Sequence, residues 1–247
     1  MDRMLYVAMT GARQTLQAQA VNAHNLANVN TAGFRQDLGA FRSMPVMGEG
    51  LPSRVFAMGE RAGVDFTPGP VTSTARELDV AVDGEGWIAI QAPDGGEAYT
   101  RAGDLRISAA GLLTTGAGHP VLGERGPIAL PPAAKLEIGS DGTLSILPPG
   151  EGAENMAQVD RIRLVNPDPQ KLYKDSGGLI RLNANEPPPP PQAGIRLVSG
   201  ALEGSNVSSV TALVEMIDLA RQFELQINTM RQVDENGQRS DQLMRME

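Results

Sequence analysis

The feature that most constrains this chain is a pair of heptad-like apolar stripes at its two ends. Leu5, Met9, Ala12, Leu16, Gln19, Ala23 and Leu26 follow one another at alternating steps of four and three, and all but Gln19 are apolar. That spacing predicts a helix with one narrow seam. The far end repeats the pattern after the turn-like GSNVSS, with Val210, Leu213, Val214, Ile217, Ala220, Phe223, Ile227, Met230 and Val233. Ser208 or Ser209 supplies a cap, and the helix should run from about Val210 to about Met244, weakened by Gly237. Neither helix can stay exposed. They either pair within one chain as a coiled coil or order fully only on assembly with other copies, because a helix this polar off its seam is marginal alone.

Between the helices the grammar changes to strands and tight turns. LDVAVDGEGWIAI alternates on both sides of Asp83–Gly84–Glu85–Gly86, as a hairpin would. PDGGEAYTR adds a turn and a strand. The segments beginning at Leu105 and Leu136 share L-x-I-x-x-x-G-x-L, each reading as strand, glycine turn, strand. DRIRLV, LIRL and IRLVSGAL give further short strands, and Pro187–Pro191 is a stiff surface loop. Residues 35–75 are rich in Gly and Pro with little periodicity and read as an extended irregular connector. The fold class is therefore α+β. Long N- and C-terminal helices pack as a coiled-coil-like core, and the central domain is mostly β. The expected division is 1–34, 35–75, 76–204 and 205–247.

Composition narrows function by exclusion. A formal charge of -8 disfavours nucleic acid or an anionic membrane as the main partner. The chain has no cysteine, which removes disulfides, thiolate metal sites and thiol nucleophiles. The opening MDRMLYVAMTGARQTLQAQA lacks a long apolar run and is not expected to be a cleaved secretory leader. No stretch approaches the length of a membrane-spanning helix.

The stretch NAHNLANVNTAGF, residues 22–34, tests three kinds of chemistry. As a metal site it is poor, since the chain holds only His24 and His119, far apart. The acidic turns at Asp83–Glu85 and Asp94–Glu97 lack calcium-loop spacing. No G-x-S-x-G occurs, and the glycine turns DGEGW and GLLTTGAG carry no phosphate-binding Lys-Ser/Thr. The stretch reads best as a helix terminus. Asn28, Asn30 and Gly33 suit a sharp exit, while Asn22 and Asn25 flank the seam and offer amides to a partner helix. A different function class, an enzyme or carbohydrate-binding module, would need a concave polar pocket around Trp87 and Tyr99. Trp87 is expected instead to fill a hairpin core.

With the exit identified, the stretch resembles the signature of the flagellar axial protein family, the rod and hook proteins of the bacterial flagellum. The pattern N-x-A-N-x-x-T-x-G-F falls on Asn25, Ala27, Asn28, Thr31, Gly33 and Phe34, with Asn22 one turn earlier. The far end is similar to the family's C-terminal helix through Asn206, Val207, Glu215, Met216, Ile217, Arg221, Phe223 and Glu224. The middle resembles its β domain through Gly84, Gly86, Trp87, Tyr99, Thr100, Arg101, Gly103, Gly111, Leu113, Gly118 and Pro120. Ser205 and Gln19 depart from the family pattern. The opening MDRMLYVAMTGARQ looks most like the proximal-rod branch, with a distal-rod or hook-like subunit as the alternative.

The resemblance implies a structural subunit of the proximal rod, the hollow drive shaft that carries torque, with no catalysis and no cofactor. It implies export through the flagellar type III apparatus and assembly in the periplasm. The implied partners are copies of itself, neighbouring rod proteins and surrounding ring proteins, without nucleic acid or membrane insertion. The assembly seam would be Leu5, Met9, Leu16, Leu26, Leu213, Ile217, Phe223 and Ile227. Elemental analysis of the purified protein should find no stoichiometric metal. One zinc or calcium per chain would reverse that reading.

Overall fold

The computed structural model describes residues 3–45, 55–60, 63–150, 156–184 and 186–244. The chain divides into two compact units. A helical unit takes residues 1–28, 36–65 and 207–247, and a β unit takes 29–35 and 66–206.

The helical unit holds α1 (Arg3–Ala27) and α2 (Ser209–Met244). The chain's two ends meet here as an intramolecular helix pair. Ser208 caps α2, its Oγ accepting the Thr211 N–H at 3.4 Å. The buried residues of α1 are Ala8, Ala12, Thr15, Asn22 and Asn25. That line runs one position off the apolar stripe expected from the sequence, and the two share only Ala12. The reason is size. Small side chains let the helix backbones approach closely, and an added Cβ on Gly11 would lie 2.9 Å from Gln226 Nε2. Thr15 returns its hydroxyl to the Gly11 carbonyl at 3.0 Å. On α2 the inward line begins with Ala212 and Leu219, both buried, and continues through half-buried Phe223, Gln226, Ile227 and Met230.

The connector differs from its reading as irregular chain. It contains an antiparallel hairpin of β1 (Ala40–Pro45) and β2 (Val55–Glu60), registered Ala40 to Glu60 and Pro45 to Val55, with β2 lying beside α1. Neither strand alternates cleanly in sequence, so periodicity could not find them. Residues 46–54 and 61–62 of the connector, and residues 1–2 and 245–247 of the two terminal segments, lie outside the described residues.

The β unit is built of short strands. In chain order they begin with β3 (Val71–Ser73), β4 (Val80–Asp83), β5 (Trp87–Gln91), β6 (Glu97–Thr100), β7 (Arg106–Ile107) and β8 (Leu113–Thr114). Next come β9 (Lys135–Ile138), β10 (Thr143–Leu147), β11 (Ala157–Arg161) and β12 (Leu164–Val165). The last are β13 (Leu172–Lys174), β14 (Ile180–Leu182), β15 (Arg196–Ser199) and β16 (Ala201–Glu203). The largest sheet has the order β12-β5-β6-β14-β13. Its inner strand β5, between β12 and β6, is apolar on both faces because both faces are covered. Ile88 and Ile90 enter a large core with Leu105, Leu113, Val121, Leu144 and Ile162, while Trp87 and Ala89 enter a second cluster with Tyr99, Val165, Leu172 and Ile180.

The two L-x-I-x-x-x-G-x-L segments form the hairpins β7–β8 and β9–β10, as expected, with Gly111 and Gly142 at positive φ. The hairpin expected across Asp83–Gly86 does not form. β4 pairs with β15, Val82 opposite Leu197, whereas β5 pairs with β6 and β12. Gly84 and Gly86, at φ 78° and 132°, carry the chain from one sheet to another instead of folding it back.

Gly11 yields a test of the close helix contact. Gly11→Ala has only the flexible end of Gln226 to displace and gains about 1 kcal/mol of helix propensity, so thermal melting followed by far-UV circular dichroism should hold or rise. Gly11→Leu should lower the melting of the helical signal. Equal stability of the leucine variant would contradict close packing.

Candidate assembly site

The family-motif residues divide between the two units. In the helical unit, Asn22 donates from Nδ2 to the Ala212 carbonyl at 2.7 Å, a buried bond from α1 into the first turn of α2. Asn25 grips the chain where it returns after the exit. Its Nδ2 donates to the Asp37 carbonyl at 2.8 Å and its Oδ1 accepts the Asp37 N–H at 2.9 Å. His24 Nδ1 lies 2.9 Å from Asp37 Oδ2. Asn28 closes the helix, donating its amide to the His24 carbonyl at 2.9 Å. Sequence reasoning had both Asn22 and Asn25 serving a partner helix. Asn22 does so, whereas Asn25 holds the chain's own connector. Ala27 is exposed just before this turn.

The rest of the motif belongs to the β unit. Thr31 accepts the Phe34 N–H at 3.3 Å in the tight exit. Gly33 has φ 66°, and an added Cβ would sit 2.2 Å from the Arg101 carbonyl carbon. Glycine is therefore required twice, by conformation and by close approach. The Gly33 N–H donates to the Glu203 carbonyl at 2.8 Å. Lys174 Nζ lies 4.1 Å from the Phe34 ring centroid and donates to the Arg35 carbonyl at 3.1 Å.

Beneath this exit lies an ionic cluster that the sequence did not single out. Glu203 is 1% exposed, and its Oε1 accepts Arg35 Nη2 at 2.5 Å and the Gly69 N–H at 2.9 Å. Its Oε2 accepts Arg101 Nη1 at 3.0 Å. The guanidinium carbons of Arg35 and Arg101 lie 5.6 and 5.5 Å from the Trp87 ring centroid, and Phe66 meets the same ring edge-on. Burial pushes the Arg101 guanidinium below its ordinary pKa, while Glu203 pulls it back up. Buried charges persist only when paired, and both guanidinium groups are bonded to Glu203, although the Nε of Arg35 and of Arg101 is buried without a hydrogen-bond partner. The signal available was Glu203 itself, an acid inside the apolar run LVSGALEG. Trp87 and Tyr99 thus fill a buried cluster, as expected for Trp87.

The large seam side chains point elsewhere. Leu5, Met9 and Leu16 are exposed, Met9 at 51%, and so are Val210, Leu213, Val214 and Ile217, Ile217 at 54%. Leu26, Phe223 and Ile227 are half-buried. Val214 and Ile217 each stand two positions from a buried residue, Ala212 and Leu219. At about 3.6 residues per turn that is roughly half a turn, so α2 carries apolar side chains on nearly opposite faces. Met9 and Leu16 stand one position from buried Ala8 and Thr15, on the flank of α1. Among the described residues no helix is long and apolar enough to cross a membrane, and no group of three or more metal-ligating side chains occurs.

Terminal helices that pair through small residues and hold large apolar side chains outward, with a β unit between them in sequence, define an axial subunit of the rod-and-hook class. Three family models match in that order. The flagella basal body rod protein model matches residues 5–35, the flagellar hook protein FlgE/F/G D1 domain model residues 81–146, and the flagellar basal body rod FlgEFG protein C-terminal model residues 198–243. The chain is 45% identical to flagellar basal-body rod protein FlgF of Escherichia coli (strain K12), over 100% of both chains. It is 43% identical to FlgF of Salmonella typhimurium, again over 100% of both. Identity to the flagellar basal-body rod protein FlgG of Bacillus subtilis is 33%, over 91% of this chain and 92% of that one. The chain belongs to the FlgF family of flagellar basal-body rod proteins, and is a structural axial subunit of the proximal-rod type.

Gly33 gives the sharpest local test. Gly33→Val adds strain at positive φ and collides with the Arg101 backbone, and should cost more than about 2 kcal/mol in denaturant unfolding while impairing swimming. Gly118, at φ 89° with open space around it, should cost only about 1 kcal/mol as Gly118→Ala. Equal effects would show that the close approach is unimportant.

Proposed function

We propose that this subunit enters the proximal rod through the outward apolar faces of its two terminal helices. Its partners are copies of itself and neighbouring rod proteins. The chain travels through the flagellar type III export apparatus, assembles in the periplasm beside the surrounding ring proteins, and carries torque without catalysing a reaction. The two-faced α2 carries this reading. One face packs Ala212 and Leu219 against α1, while Val210, Leu213, Val214 and Ile217 remain exposed on the other. Each of those four side chains would contribute on the order of 1 kcal/mol when covered by a neighbour.

The exposed faces of α1 and α2 differ from each other, so a head-to-tail contact of one on the other repeats from subunit to subunit, as an axial array needs. Charge supports the same pairing. Exposed Arg13 lies beside the α1 stripe, with no acid between Asp2 and Asp37, whereas Glu215, Asp218 and Glu224 outnumber Arg221 around the α2 stripe. The higher identity to FlgF than to the FlgG relative supports a proximal over a distal position.

Ile217→Asp places a charge in the proposed contact but leaves the inward α2 line intact. The variant should fold, with the near-UV signal of Trp87 unchanged, yet fail to complete rods in cells. Normal rods containing the variant would overturn the proposed contact.

A further inference from the structure

We infer that the Glu203 carboxylate is a clasp that ties together the places where the chain passes between its two units, so that mechanical load entering through the terminal helices is shared by several segments of the β unit. The chain crosses after residues 28, 35, 65 and 206. The crossings after 35, 65 and 206 each lie within a few residues of the clasp. Arg35 is the last residue of the first β-unit segment and bonds Glu203 Oε1 directly. Gly69 follows the third crossing closely and gives its N–H to the same oxygen at 2.9 Å. Glu203 itself precedes the fourth.

Backbone bonds join the same segments. The Gly33 N–H donates to the Glu203 carbonyl at 2.8 Å, the Gly204 N–H to the Pro70 carbonyl at 2.8 Å, and the Asn206 N–H to the Phe34 carbonyl at 3.4 Å. Gly69 and Gly204 also touch too closely for a side chain, since a Cβ on Gly69 would lie 2.2 Å from the Gly204 oxygen. Arg101 anchors the cluster to the turn between β4 and β5, donating from Nη2 to the Gly84 carbonyl at 2.8 Å. A segment held only by a short backbone ladder can peel one bond at a time. Here pulling on one segment strains a carboxylate bonded to two others, all out of water, where such bonds are strongest. The load argument rests on the chain being a rod subunit. The clasp does not.

The test is amide hydrogen exchange on the full-length free chain carrying Glu203→Gln, which keeps the shape and removes the charge. Exchange in residues 29–35, 66–70 and 203–206 should accelerate at least about tenfold together, while 87–91 and 136–146 stay at wild-type rates. Unchanged exchange at the three segments would overturn the clasp, and so would uniform acceleration through the whole β unit. Should that variant fail to fold, Arg35→Lys keeps the charge but loses the planar fork and is read the same way. Load sharing has its own readout in cells. With the exchange change established, Glu203→Gln cells should lose swimming in viscous medium, and wild-type swimming there would overturn load sharing while leaving the clasp.

Discussion

The close approach of α1 and α2 sets the terms for the rest of the molecule. On the α1 side the contact is made by Ala8, Gly11, Ala12 and Thr15, small residues that bring the helices together but bury little apolar surface of their own against Ala212 and Leu219. The Asn22 amide in that contact adds register, not hydrophobic energy. Many of the bulky side chains that would stabilise an ordinary helix pair, Met9, Leu16, Val210, Leu213, Val214 and Ile217 among them, sit instead on the flank of α1 and on the far face of α2. A pair held this way is marginal alone and gains from every neighbour that covers its outer faces. Assembly then becomes part of the helices' stability and not an addition to it.

The β unit solves a different problem. Its inner strand β5 buries both faces, which gives the unit two apolar clusters of its own. Such a unit can hold its shape without neighbours. Its vulnerable places are where the chain leaves it, and there the structure spends buried charge. Glu203, Arg35 and Arg101 are all nearly inaccessible to solvent, and removing Glu203 would strand both arginines. The family-motif glycine, Gly33, lies on that cluster, so one short motif ends a helix and begins the packing of the β unit.

Local features were legible in the sequence and distant ones were not. The helices, the cap at Ser208 and the glycine hairpins at Gly111 and Gly142 depend on neighbours along the chain, so pattern and turn chemistry found them. The pairing of β4 with β15 joins opposite ends of the β unit, and Gly84 and Gly86 serve a sheet change as readily as a hairpin. Of the site, the Asn25–Phe34 motif was visible as a helix exit. Its partners Asp37, Lys174 and Glu203 were not, because each lies outside the motif. Heptad spacing located the apolar stripes correctly but could not say which faced inward. Alanine and glycine one position away carry no hydrophobic signal, yet they make the contact.

The claim that the outer faces are covered only on assembly can be measured directly, because the chain has no native cysteine. Single cysteines at Leu213 and Leu219 would report the two faces of α2 by their reaction with a soluble thiol reagent. In the free chain the thiol of Leu213→Cys should react rapidly and that of Leu219→Cys slowly. In purified basal bodies both should be slow. A Leu213→Cys thiol that stays as reactive in the rod as in the free chain would contradict the account.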